Sequence, residues 1–155
     1  MQKLKILIAD DDQIARMVLE RSVVTWGHAF ISAADGEAAQ ELLKTQRGDV
    51  CIVDWEMPRL SGLALCKWIR STGGNRATHV IITTSKGRPA DIQEGYEAGA
   101  NNYLTKPTDL KYLRRQLTRL AENAGMVEAT EQSEKKVDTL EYFGRDLLFS
   151  RTQAG

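Results

Sequence analysis

Residues 4–12 read LKILIADDD and residues 50–58 read VCIVDWEMP. Each is a short apolar run that stops on aspartate. Neither alternates apolar with polar residues, as a strand with one wet face would, so both read as strands buried on both sides. The same texture recurs from Ala29 to Ser32, from Val80 to Thr83 and at Tyr103–Leu104.

Between these runs lie segments with helical period. Ile14, Met17 and Val18 share one face, as do Ala38, Leu42 and Leu43, and then Leu65, Cys66 and Ile69. Leu110, Leu113, Leu117 and Leu120 form the cleanest stripe. Strands that alternate with helices imply five βα units and a parallel sheet covered on both faces, an α/β fold. The punctuation agrees. Gly27 ends the first helix, Asp35–Gly36 opens the second, Pro58 and Gly62 lie in the loop after the third strand, and Gly73–Gly74 ends the third helix. Thr108 is the expected N-cap of the last helix.

The chain has 155 residues, enough for one domain and a tail. Apolar residues make up 42% and charged residues 27%, the balance of a soluble globular protein with a real core. Lys plus Arg equals Asp plus Glu, 21 each, which argues against a protein that coats nucleic acid. Cys51 and Cys66 lack metal-type spacing and His28 and His79 are isolated, so neither a zinc site nor a disulfide framework is expected. The first apolar run stops at three aspartates, which no signal peptide does, and no run reaches membrane-spanning length. A cytoplasmic protein is expected. The texture changes at Ala124–Gly125, giving a first domain over 1–123 and a C-terminal tail over 124–155. The tail is polar to residue 139, then carries Leu140, Tyr142, Phe143, Leu147, Leu148 and Phe149. It reads as a helical extension packing on the domain or on a second copy, or as a linker toward an output domain.

In an open parallel sheet, sites form outside the carboxyl ends of the strands. Those ends carry Asp10–Asp11–Asp12, Asp54, Thr84–Ser85 and Lys106–Pro107. Two like charges about 4 Å apart repel by about 4 kcal/mol at an intermediate dielectric, so gathered carboxylates need compensation. Lys106 supplies one positive charge and Mg²⁺ would supply more, being a hard cation that takes a few carboxylates, waters and a phosphate. A carboxylate nucleophile, Mg²⁺, a hydroxyl and an ammonium together suit phosphoryl transfer.

On the motifs ILIADDD, VDWEMPRLSG, IITTS and YLTKP the chain resembles the receiver domain of two-component response regulators, of the chemotaxis-receiver type. The separations are similar too: 43 residues from Asp11 to Asp54, 30 to Thr84 and 22 to Lys106. The resemblance covers residues 4 to about 122. It implies a doubly wound, five-stranded, flavodoxin-like (βα)5 fold with strand order 2-1-3-4-5. Asp54 would be the phosphoacceptor, charged by a sensor histidine kinase or phosphotransfer protein. Asp10 and Asp11 would hold Mg²⁺ with Asp54 and the carbonyl of Glu56. Lys106 would pair with Asp54 and then with phosphoryl oxygen, and Thr84 would donate its hydroxyl. Backbone N–H groups near Trp55 and Ser85 would complete the oxygen cradle, and Tyr103 would be the aromatic switch. Glu56 and Lys86 flank the water entry, and a pair between them is expected to tune phosphoryl lifetime. The chain would catalyse only its own phosphorylation and dephosphorylation.

Several residues also have plain readings. Asp12 is a helix-start residue favoured by the dipole. Tyr103 alone is as well explained by packing, Cys51 and Cys66 by the core, and Trp55 and Trp68 by packing or surface. The fourth helix offers Asp91, Glu94 and Glu97, and the fifth Lys111, Arg114, Arg115 and Arg119. Such a pair suits a homodimer through the fourth helix, fifth strand and fifth helix, or is an ordinary solvated face. No DNA-reading motif follows, so direct nucleic-acid binding is not expected. Two rivals differ in class. A haloacid-dehalogenase-type phosphatase would use Asp10 of Asp10-x-Asp12 as nucleophile. A nucleotide-binding module would need a glycine-rich phosphate loop, and none occurs. A phosphate-independent receiver is a third. Kinase, stimulus, output and membership of a longer regulator are not written in these residues.

Overall fold

The computed structural model describes residues 1–72 and 75–129, with side chains through residue 124. Its elements run β1 (Lys5–Ala9), α1 (Gln13–Thr25), β2 (Ala29–Ala33), α2 (Gly36–Thr45), β3 (Val50–Asp54), α3 (Gly62–Ser71), β4 (His79–Thr84), α4 (Pro89–Glu97), β5 (Asn102–Thr105) and α5 (Leu110–Ala129). All strand pairs are parallel, in the order β2-β1-β3-β4-β5. This is the expected five-stranded, doubly wound α/β sheet.

Strand period explains the unbroken apolar runs. Successive side chains point to opposite faces, and both faces are covered. Leu7, Val53 and Ile82 face one core with Leu43, Leu65 and Ile69. Ile6, Ile8, Ile52 and Ile81 face the other with Leu19, Val23, Leu113 and Leu117. Each of these residues is at most 6% exposed. Full burial of one such side chain stabilises by about 1.5–3 kcal/mol before entropy is counted.

The caps are partly as expected. Trp26 caps α1, and Gly27 follows at φ +94°, a left-handed position that suits glycine. The Asp35 carboxylate accepts the Ala38 N–H at 2.7 Å and opens α2. Asp109, not Thr108, opens α5: its carboxylate accepts the Tyr112 N–H at 3.1 Å. Gly62 is the first residue of α3 rather than part of the loop, and Ser61 caps that helix. A Cβ at Gly62 would lie 2.2 Å from the Asp54 carbonyl oxygen, so the glycine lets α3 start directly beneath the end of β3.

Two stripes are corrected. Ile14, Met17 and Val18 do share a face of α1, but it is turned to solvent, with Ile14 75% exposed; α1 buries Leu19 and Val23 instead. In α2 the buried small residue is Ala39, while Ala38 is exposed. α5 continues through Ala124 and Gly125 to Ala129. Gly73–Gly74 and the apolar cluster from Leu140 to Phe149 lie outside the described residues. No described helix is long and apolar enough to cross a membrane.

Candidate phosphoryl-transfer site

The strand ends of β1, β3 and β5 converge. Asp10 directly follows β1 and is 1% exposed; Asp54 ends β3 and is 6% exposed. Carboxylate oxygens of Asp10, Asp11 and Asp54 lie within 4.8 Å of one another. The Lys106 Nζ, just past β5, lies 3.2 Å from Asp10 Oδ2 and 3.3 Å from Asp54 Oδ2. Asp11, Asp12, Asp54, Glu56, Ser85 and Lys106 line a cleft of about 390 Å³.

The electrostatics follow from crowding. Burial, then repulsion from Asp10, pushes the Asp54 carboxyl up to about 6, against the pull of Lys106 and the Glu56 N–H. Burial alone would lower the Lys106 ammonium, but Asp10 and Asp54 outweigh it and hold its pKa above the ordinary lysine value. One ammonium faces three carboxylates, so the cluster is short of positive charge. Its donors are all hard oxygens, the set that Mg²⁺ takes. Asp10, Asp11 and Asp54 therefore fit that ion.

The supporting shell is backbone. The Asp12 N–H donates to Asp10 Oδ1 at 2.9 Å, while the Asp12 carboxylate caps α1 by accepting from Ile14 and Ala15 N–H. Arg16 donates to the Asp10 carbonyl at 2.8 Å. Arg16 carries no sequence mark of this role; only the turn from β1 into α1 brings it back. The Trp55 N–H is not in the cradle, because it donates to the Thr83 carbonyl at 2.9 Å and extends the β3–β4 ladder. The neighbouring Glu56 N–H faces the site instead, donating to Asp54 Oδ1 at 3.4 Å. Ser85 lines the cleft.

Thr84 and Tyr103 stand one step back. The buried Thr84 hydroxyl accepts the Lys86 N–H at 3.1 Å. The Tyr103 hydroxyl donates to the Lys86 carbonyl at 2.7 Å, and its ring meets Trp55 edge-on at 6.0 Å. A Cβ on Gly95 of α4 would lie 2.8 Å from that ring. Burial pushes the Tyr103 phenol up to about 12, so it remains a donor. Lys86 does not pair with Glu56 among the described residues; its ammonium lies 4.8 Å from the centroid of the Trp55 ring. Cys51 and Cys66 are free and buried, with thiols pushed up to about 12 and about 11, so neither is a poised nucleophile.

An open parallel sheet whose carboxyl end gathers aspartates and one lysine over a cleft defines a flavodoxin-like α/β domain with an acidic site. The chain belongs to the response regulator receiver family, whose family model matches residues 6–118. It is 37% identical over 109 residues to the response regulator MprA of Mycolicibacterium vanbaalenii, covering 70% of this chain and 46% of that one. The chain thus spans about half the length of the curated relatives it matches. The receiver domain of Francisella response regulator 1452 superposes with a TM-score of 0.73 at 32% identity, covering 79% of this chain and 99% of that one. The receiver domain of the sensor histidine kinase PA1611 from Pseudomonas aeruginosa, solved with magnesium coordinated in its active site cleft, gives 0.71 at 28% identity, covering 77% and 98%. The chain is a receiver domain of two-component signalling, and such domains interact with histidine kinases or phosphotransfer proteins.

Proposed function

We propose that Asp54 accepts a phosphoryl group and that the change at its carboxylate is read on the surface around α4, β5 and α5. The observation that carries this is that Asp54 lines the cleft with its carboxylate beside Asp10 and Asp11, and Lys106 bridges Asp10 and Asp54. An Asp54 oxygen would attack phosphorus, the P–N bond to the donor imidazole would break, and the imidazole would leave with the electron pair. Bound Mg²⁺ would neutralise the charge that builds on the phosphoryl oxygens. Asp10, Asp11 and Asp54, with the Glu56 carbonyl, would hold that ion. Lys106 would turn from the Asp54 carboxylate to a phosphoryl oxygen, the Glu56 and Ser85 N–H groups would donate to others, and the Thr84 hydroxyl would swing toward the site with Tyr103 following. Apart from accepting and losing its own phosphoryl group, the chain would transform no substrate. Residues 1–123 would be the receiver and 124–155 its extension, in a cytoplasmic protein.

Intact-mass spectrometry after incubation with acetyl phosphate and Mg²⁺ tests this. One added phosphoryl group is expected, lost in Asp54→Asn and with a chelator. An adduct that survives in Asp54→Asn would move the nucleophile to Asp10, as in the phosphatase reading. No adduct on the unaltered chain would overturn the phosphoacceptor role.

A dimer surface here would be narrower than the sequence suggests. Asp91 is committed to Arg88, with contacts of 2.9 and 3.2 Å, which leaves Glu94 and Glu97 as the exposed acids of α4. Lys111, Arg114 and Arg115 are the exposed bases of α5, while Arg119 is half-buried. A pairing of these patches would appear as a rise in sedimentation coefficient on phosphorylation, absent in Arg115→Glu.

A further inference from the structure

Trp55 directly follows the phosphoacceptor position and is 7% exposed, yet its indole is not simply core. One face carries the Lys86 ammonium at 4.8 Å from the ring centroid, and the Tyr103 ring meets it edge-on. The Lys86 backbone closes the arrangement. Its N–H donates to the Thr84 hydroxyl and its carbonyl accepts the Tyr103 hydroxyl. The backbone of Lys86 is therefore fixed beside the cleft while its side chain is laid on the indole. The cleft confirms the consequence: Glu56 and Ser85 line it and Lys86 does not.

We infer that Trp55 is a positioning residue for loss of the phosphoryl group, holding the Lys86 ammonium on its ring and so keeping the cleft mouth open to water. This rests on the phosphoacceptor reading of Asp54. In the step concerned, a water oxygen bonds phosphorus and the bond from phosphorus to the Asp54 oxygen breaks. The electron pair returns to the carboxylate, and inorganic phosphate leaves with the water's protons shared between it and solvent. The exposed Glu56 carboxylate stands at the mouth where that water enters. A Lys86 side chain freed from the indole would find two attractive anions there, Glu56 and the phosphoryl group. Pairing with them would cover the approach. An aromatic face thus sets whether a lysine two residues past Thr84 shields the site, which a list of charges around the cleft would not show.

The test is a coupling cycle on the decay of the phosphorylated chain, read by intact mass. Trp55→Leu is expected to slow phosphate loss about two- to fivefold, the range that a partly exposed cation–π contact can shift an equilibrium. In the Lys86→Met background the same Trp55 substitution is expected to have no effect. Trp55→Phe, which keeps a ring face, is expected to restore most of the original rate. Equal slowing by Trp55→Leu with and without Lys86 would overturn the inference while leaving the phosphoacceptor reading intact. No adduct on the unaltered chain would overturn both. Should Trp55→Leu not fold, tryptophan emission decides the matter. Lys86→Met is expected to change it, and that difference is expected to vanish when Trp55→Phe is already present. No change in emission would overturn the inference.

Discussion

The two ends of the sheet bury polar groups in opposite ways. At the amino end the buried groups are neutral and spent on closure. Asn75 donates to the Leu43 carbonyl, Thr78 to the Gly48 carbonyl, and His28 Nδ1 accepts the Leu4 N–H. Each ties a loop to a neighbouring element. At the carboxyl end charge is buried beside the neutral Thr83 and Thr84, and one sign dominates: Asp10 and Asp54 share a single ammonium. A hydrogen-bonded neutral group is close to neutral for stability or slightly favourable, whereas crowded charge is costly. The amino end therefore buries no excess charge among the described residues. The carboxyl end holds an excess of negative charge that a divalent cation would relieve.

The largest expected effect removes the ammonium that bridges the two buried carboxylates at the carboxyl end. Lys106→Met leaves two buried carboxylates facing each other and is expected to lower stability by about 2 kcal/mol at pH 7 in urea unfolding, below the value for a fully dry pair because Lys106 is 30% exposed. The loss should be smaller at pH 5, where Asp54 takes up a proton. Next, Asp54→Asn is expected to raise stability at pH 7 by on the order of 1 kcal/mol while abolishing phosphorylation. The sign follows from the raised pKa. The folded state holds the Asp54 proton up to about 6, so this group favours folding most below the unfolded value near 4 and loses that contribution as pH rises through 6. The gain from Asp54→Asn should accordingly vanish at pH 4.

The smallest effect sharpens the contrast. Burial lowers the His28 pKa, and its Nε2 has no hydrogen-bond partner among the described residues. The folded state resists protonation there, so the His28 contribution is full above about pH 6.5 and falls as pH drops below it. His28→Gln is expected to flatten the acid side of the stability profile by a few tenths of a kcal/mol per pH unit. Below pH 6.5 the two ends therefore pull stability in opposite directions, and each variant unmasks the slope of the other.

The carboxyl end was legible in the sequence because its residues interrupt apolar strands. Asp10, Asp54 and Lys106 stand where a strand stops, and parallel topology brings all such stops to one edge. The sheet itself was legible because Val50 to Val53 and Val80 to Thr83 lack alternation, which only a sheet covered on both faces explains. What stayed hidden depends on register and orientation. The Trp55 N–H is consumed by the Thr83 carbonyl because the ladder runs one residue past Asp54, and no side-chain pattern marks that. Ile14, Met17 and Val18 satisfy helical period equally well facing in or out. Lys86 could reach Glu56 or the Trp55 ring by the same count of bonds, and only the packed position of the indole distinguishes them.

Gly95 gives the fold a historical constraint. Glycine within a helix costs about 1 kcal/mol relative to alanine, so α4 would be firmer with a methyl group at this position. That methyl would meet the Tyr103 ring at 2.8 Å. A descendant chain that gained alanine at position 95 would have to shrink the residue at position 103 or turn it outward. The two sites, on a helix and on the neighbouring strand, are thus expected to change together or not at all.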